Sequence, residues 1–195
     1  MVQCPSGSTG FAKWACDHAN IADRPTFDNQ VSWSTKGPTL AECRSLWLAD
    51  LDSKLRGGLV SVSNVSKILA EKTGKINTND AHDPNDIVFG GDLVLGARML
   101  KHMAERMHYD LQRTVNLEAR EAMVTDLVQN VVKTASNLIS DSSDIRQSWS
   151  DLSSDELGRA ATALLIGLEE NAFLLAETVT SEKIIIKPTD NICKF

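Results

Sequence analysis

Between residues 39 and 179 the chain alternates apolar and polar positions with a helical period. "TLAE" has the pattern of a capping box, with Thr39 accepting from a backbone N–H and Glu42 reaching back. It predicts a helix that starts there, presents Cys43, Trp47, Leu51 and Leu55 on one face, and closes at Gly57-Gly58. A shorter helix over about 61–73 carries Val65, Ile68 and Leu69 and ends at Gly74, and "KINTNDAHDPND" then reads as a loop. A long helix is expected over about 86–115, with Leu93, Ala97, Leu100, Ala104, Met107, Leu111 and Val115 inward. Asn116 caps a further helix over about 117–140, where Met123, Val124, Leu127, Val128, Val131, Val132, Ala135, Leu138 and Ile139 give the clearest 3.6-residue pattern. This helix is expected to be the most buried. "SSDIRQSWSDL" predicts one helical turn and a bend. "SSDE" is a second capping box, and it opens a final helix to about 178 with Leu157, Ala161, Leu164, Leu168, Ala172 and Leu175 inward.

The two ends break this pattern. Residues 1–38 carry Gly7, Gly10, Gly37, Pro5, Pro25 and Pro38 among many small polar residues, with "FDNQVSW" as one short strand. A segment so poor in aliphatics needs cross-links or a neighbour to dock on, and Trp14 and Trp33 are its expected packing anchors. The tail "SEKIIIKPTDNICKF" turns β-branched and reads as an isolated strand. The fold class is therefore mainly α. An antiparallel bundle of five or six helices bears a small cysteine-rich β/loop cap at its N-terminus and a lone β segment at its C-terminus.

Composition narrows the function classes. The hydrophobic share of 42% is enough for a core, and the charged share of 24% excludes a disordered polyelectrolyte. A formal net charge of −6 argues against nucleic acid as a partner, because phosphate neutralisation needs clustered Lys and Arg. No run reaches the roughly 18 apolar residues of a membrane span, and "MVQCPSGSTG" has neither the basic start nor the apolar run of a secretory leader. The four cysteines, Cys4, Cys16, Cys43 and Cys193, lie too far apart for a zinc ribbon or a CxxC redox site. They are either buried thiols of a cytosolic protein or disulfides of a secreted one, and three of them crowd into the first 43 residues.

Candidate chemistry is sparse. "FGGDLVLG" does not match GxGxxG and reads as a glycine-rich start to a helix. "EKTGKINT" contains Gly-Lys, but Leu69 stands where a P-loop needs its first Gly and Ile76 replaces Ser or Thr. Glu105 and His108 form one ExxH, whereas a di-iron bundle needs two. No cofactor, metal site or catalytic residue is expected. "NVSK" makes Asn64 the candidate N-glycosylation site.

The order Cys4, Pro5, Gly7, Gly10, Cys16, Trp33, Pro38, Cys43 resembles the second half of the hormone-receptor module of secretin-type and adhesion G-protein-coupled receptors. The helices that follow resemble the helical subdomain of the GAIN domain. "SWSDLSSDELGRAATALLIGLEENAFLLAETV" is similar to latrophilins through Trp149, Leu168, Glu169, Glu170, Ala172, Phe173, Leu174, Leu175 and Ala176. The resemblance implies residues 1–43 as a partial hormone-receptor module, 44–180 as the GAIN helical subdomain and 181–195 as the start of a truncated GAIN β-sandwich. In the complete module the cysteines matching Cys4 and Cys43 pair together, while the one matching Cys16 pairs upstream. This implies a Cys4–Cys43 disulfide, with Cys16 and Cys193 as free thiols.

The upstream Cys and Trp of the module, the lectin domain and the His-Leu-Ser/Thr cleavage site of the family are not found. None of His18, His82, His102 or His108 is followed by Leu. The expectation is an extracellular fragment of a latrophilin-like adhesion receptor, a non-catalytic spacer or scaffold in cell-surface adhesion and signalling. Its partners would be the remainder of the receptor, through the β-sandwich, and protein ligands held by neighbouring domains. Apolar surface around Ile184, Ile185, Ile186 and Phe195 would then be exposed. Two other classes compete: a soluble cytosolic helical interaction module with reduced cysteines, and peptide-hormone binding by the cap.

Overall fold

The structure is a computed structural model that describes residues 1–18, 31–35, 37–76, 88–179 and 189–192. Among the described residues, six short strands precede six helices. The strands are β1 (Val2–Gln3), β2 (Ser8–Thr9), β3 (Phe11–Ala12), β4 (Cys16–His18), β5 (Val31–Trp33) and β6 (Arg44–Ser45). The helices are α1 (Leu46–Arg56), α2 (Val62–Ile76), α3 (Gly90–Gln112), α4 (Leu117–Leu138), α5 (Ser143–Ser150) and α6 (Ser154–Thr178).

The cap is three antiparallel two-stranded ladders, β1–β3, β2–β6 and β4–β5, with an isolated bridge between Lys13 and Thr39. Strands of two or three residues cannot hold themselves together. Here a small cluster of Cys4, Ala12, Cys43 and Phe89, with Leu40 against it, fastens them to the start of α3.

Segment 39–45 departs from the helix that "TLAE" predicts. Thr39 N donates to Lys13 O at 2.8 Å, Glu42 is ion-paired to Lys13, and Arg44–Ser45 pairs with Ser8–Thr9. These long-range bonds hold the backbone in a turn and a strand, so α1 starts only after Ser45. Its inward face becomes Leu48, Leu51 and Leu55, with Trp47 half-buried and Cys43 belonging to the cap. Trp33 is 66% exposed and anchors nothing by burial, while Trp14 is tied by its indole N–H to Ser34 O at 2.8 Å.

The bundle is built from α2, α3, α4 and α6. The short link 113–116 reverses the chain, so α4 runs back along α3 and Leu138 packs over Gly96. Parallel pairs complete it. Asn130 bonds Ser66 and Asn137 bonds Thr73, a heptad apart on both α2 and α4. The core runs continuously through Leu69, Leu93, Met99, Leu100, Met103, Met107, Leu127 and Val131. Leu127, Val131 and Ala135 are fully buried as expected, but α3, not α4, is buried along most of its length. Val115 lies past the end of α3 and is 99% exposed.

Asn116 caps α4 by accepting from Ala119 N, and Ser153 and Glu156 form the capping box of α6. Helix α2 continues two residues past Gly74, and α5 is two turns rather than one. Trp149 on α5 donates its indole N–H to Leu138 O at 2.7 Å, satisfying a carbonyl at the end of α4 that the helix itself leaves free. Of the expected loop at 75–86, the first two residues continue α2 and 77–86 lie outside the described residues, as do the tail strand with Ile184, Ile185 and Ile186, and Phe195.

Candidate functional site

Two features stand out: the junction where the cap clamps onto the bundle, and the outer face of α6. At the junction Cys4 and Cys43 form a disulfide with an S–S distance of 2.01 Å across a sequence separation of 39. Gly10, at φ +110°, crosses close over Glu42, where a Cβ would stand 2.8 Å from the Glu42 carbonyl oxygen. Gly91 does the same from the bundle side, since a Cβ there would lie 2.4 Å from the Cys43 carbonyl oxygen. The "FGGD" stretch is thus a docking seat for the cap.

Asp92 fixes that seat. Its carboxylate accepts from Ser45 N at 2.7 Å, Ser45 Oγ at 2.6 Å and Phe89 N at 3.1 Å. Burial pushes its pKa above the usual carboxylate range, and the bonds from Ser45 and Phe89 offset only part of that. Beside the disulfide, the hydrogen bond that Lys13 donates to the Glu42 carboxylate raises the pKa of its ammonium above the ordinary value.

The face of α6 that enters the core is Ala160, Leu164, Gly167, Asn171, Leu174 and Thr178, one stripe round from the expected line. Leu157 and Ala172 are exposed, and Ala161, Leu168 and Leu175 are half-buried. The reason lies in the small residues. A Cβ on Gly167 would lie 2.7 Å from Leu100 Cβ, so only glycine admits this approach to α3. Asn171 donates to Leu100 O at 2.9 Å and locks the register. The adjacent stripe is turned out to solvent, with Leu165 67%, Phe173 61% and Ile166 36% exposed.

The remaining sequence-predicted positions scatter. Cys16 is a free, exposed thiol on β4, and Cys193 lies outside the described residues. Asn64 is exposed on the first turn of α2. Glu105 is 3.6 Å from Lys101, and His108 is exposed. Among the described residues no three His, Cys, Asp or Glu side chains are grouped to hold a metal ion. No described helix is long and apolar enough to cross a membrane. Asp92, Gly91 and Gly167 escape sequence reasoning, because their role is set by partners 47 to 70 positions away.

The described residues thus form a helical bundle with a disulfide-clamped cap and an exposed apolar face on α6. The family described as GAIN, AGRL2-4 GAIN subdomain A, matches residues 49–176. The chain belongs to this family, the helical part of the extracellular region of latrophilin-like adhesion receptors. It is similar to "Latrophilin Cirl" of Drosophila ananassae, 30% identical over 234 residues that cover 97% of this chain and 13% of that protein. The corresponding protein of Drosophila persimilis is 34% identical over 237 residues, covering 97% of this chain and 13% of the relative. That of Drosophila mojavensis is 34% identical over 163 residues, covering 84% and 9%. The chain spans 9–13% of the length of these relatives.

Proposed function

We propose that the chain is a non-catalytic spacer and scaffold in the extracellular part of an adhesion receptor, and that the outer face of α6 receives the receptor's β-sandwich. The observation that carries this is the exposed stripe of Leu165, Ile166, Ala172, Phe173 and Ala176, within the residues that match the family. Large apolar side chains at heptad spacing on a helix whose other face is already packed are suited to a second, apolar partner. On this reading residues 1–43 are part of a hormone-receptor module, 44–180 the GAIN helical subdomain and 181–195 the start of the sandwich. Adhesive ligands are engaged by neighbouring domains, and signalling passes through the rest of the receptor.

The reading includes the Cys4–Cys43 bridge as the cap's staple, with Cys16 and Cys193 free. It also includes a glycan on Asn64. The sequon hydroxyl of Ser66 is 1% exposed and already bonded to Ser63 O and Asn130. Glycosylation therefore precedes folding, and the folded chain is a poor acceptor.

The test is Phe173→Asp with Leu165→Asp in the receptor ectodomain that contains this chain. Both side chains are exposed, so the bundle itself is expected to fold with unchanged helicity. Loss of protection from proteolysis between bundle and sandwich is the expected result. A double variant as protease-resistant as the parent would count against this face as the contact.

A further inference from the structure

At the end of the bundle away from the cap, α1 and the C-terminal half of α3 leave a cleft of about 600 Å³, walled by Arg56, His102, Glu105, Arg106, Tyr109 and Arg113. Three guanidiniums converge there in a protein whose formal net charge is −6. Arg113 stacks over the Tyr109 ring, 4.4 Å from its centroid, and donates to the phenol oxygen. Arg106 lies 5.5 Å from the same ring. The tyrosine thus holds two charged forks in place and lowers the entropy lost when they bind.

The carboxylates nearby are mostly spent. Arg56 pairs with Asp52, Arg106 lies 3.6 Å from Asp110, and Glu105 faces Lys101. Arg113 has no carboxylate within ion-pair distance among the described residues, although it and Arg56 also sit at the negative ends of α3 and α1. His102 lines the cleft with its Nδ1 shielded from solvent. Chain segments beside the arginines carry exposed apolar residues: Leu59 at 78%, Val115 at 99% and Leu117 at 51%. Arginine and tyrosine are among the residue types enriched in protein-binding hot spots.

We propose that this cleft binds a segment of a partner protein that presents one carboxylate flanked by apolar side chains. Arg113 would take the carboxylate in a two-pronged pair, with Leu59 and Val115 meeting the flanking residues. Asp52, Glu105 and Asp110 disfavour a polysulfated glycan, which would bring many charges against them. The assignment is independent of the outer face of α6.

The experiment is a two-dimensional NMR titration of the ¹⁵N-labelled chain, reading arginine Nε–H and backbone signals. The probes are acetylated, amidated Leu-Asp-Leu, its uncharged counterpart Leu-Asn-Leu, and a heparin tetrasaccharide. Leu-Asp-Leu is expected to shift the Arg113 and Arg106 Nε–H signals saturably, with Kd on the order of millimolar. Leu-Asn-Leu is expected to be silent. R113Q is expected to weaken binding roughly fivefold or more. That variant keeps the helix end, because the backbone bond from Arg113 N to Asp110 O does not involve the side chain. Equal shifts with Leu-Asn-Leu, no saturable shift with Leu-Asp-Leu, or R113Q binding like the parent would overturn the proposal. Larger arginine shifts from the heparin tetrasaccharide would overturn the choice of a protein segment.

Discussion

Asp92 shows how one buried side chain joins two parts of the molecule. It ends β6 by accepting from Ser45 and begins α3 by accepting from Phe89 N. Asp92→Ala removes the acceptor of two backbone donors and is expected to cost about 2–4 kcal/mol in denaturant unfolding. A cost below about 1 kcal/mol would mean that water replaces the carboxylate. The pH dependence has a definite sign. Because burial raises the folded-state pKa of Asp92, the protonated form folds more favourably than the ionised one. Its contribution is complete below the unfolded carboxyl pKa of about 4 and is lost as pH rises through the folded value. Asp92→Asn is expected to remove that decline, which unfolding curves at stepped pH would reveal. Gly91→Ala sets a Cβ against the Cys43 carbonyl oxygen and is expected to loosen the cap while the bundle stays helical. Proteolysis restricted to residues 1–43 would mark that outcome.

At the scale of elements, local signals decide helix ends only where nothing distant competes. Ser153 and Glu156 form their capping box on an exposed helix start, and the hydrogen bonds from Ser153 hold the Glu156 carboxyl below its usual range. That contribution is present above the unfolded pKa of about 4.3 and fades as pH falls through the folded value. Ser153→Ala is expected to cost about 1 kcal/mol, with a measured change under 0.3 kcal/mol counting against the cap. Thr39 and Glu42 spell the same box, yet the ladder to β2 and the bridge to Lys13 claim their backbone first. On α6 the choice between two adjacent apolar stripes goes to the one containing Gly167 and Asn171. Gly167→Leu is expected to destabilise by roughly 3 kcal/mol or more, since the clash is with Leu100 Cβ and the Lys101 backbone. Thermal unfolding with an unshifted midpoint would show that α6 can slide.

For the whole molecule, the cap contributes too little apolar surface to fold alone, and among the described residues it gives the bundle core only Ala41. The Cys4–Cys43 bridge closes a loop of 39 residues, worth about 4 kcal/mol in the chain-entropy description. Cys4→Ser with Cys43→Ser is expected to release the cap and leave the bundle's cooperative unfolding in place. Loss of all helical signal at 25 °C would instead make the cap part of one folding unit. Non-reducing peptide mapping checks the pairing itself, where a dominant Cys4–Cys16 or Cys16–Cys43 peptide would contradict it. The chain is also expected to stay a single band of 21.3 kDa on long incubation, because the His-Leu-Ser/Thr cleavage sequence of the family does not occur in it. Time-dependent appearance of two fragments would overturn that.

Periodicity, caps and glycines by themselves determined the helical class, the break at Gly57-Gly58, the starts of α4 and α6, and the burial of Leu127, Val131 and Ala135. Those are decided within a few residues, where hydrogen-bond geometry and the 3.6-residue repeat act directly. Tertiary structure alone decided where α1 begins, which stripe of α6 faces inward, why Gly91 and Asp92 stand together, and the convergence of Arg56 on Arg106 and Arg113. Each of these depends on backbones brought within van der Waals contact from distant parts of the chain. Apolar residues on two adjacent faces of a helix are equivalent in a linear pattern. They become different only when a neighbouring helix has room for glycine on one side and none for leucine.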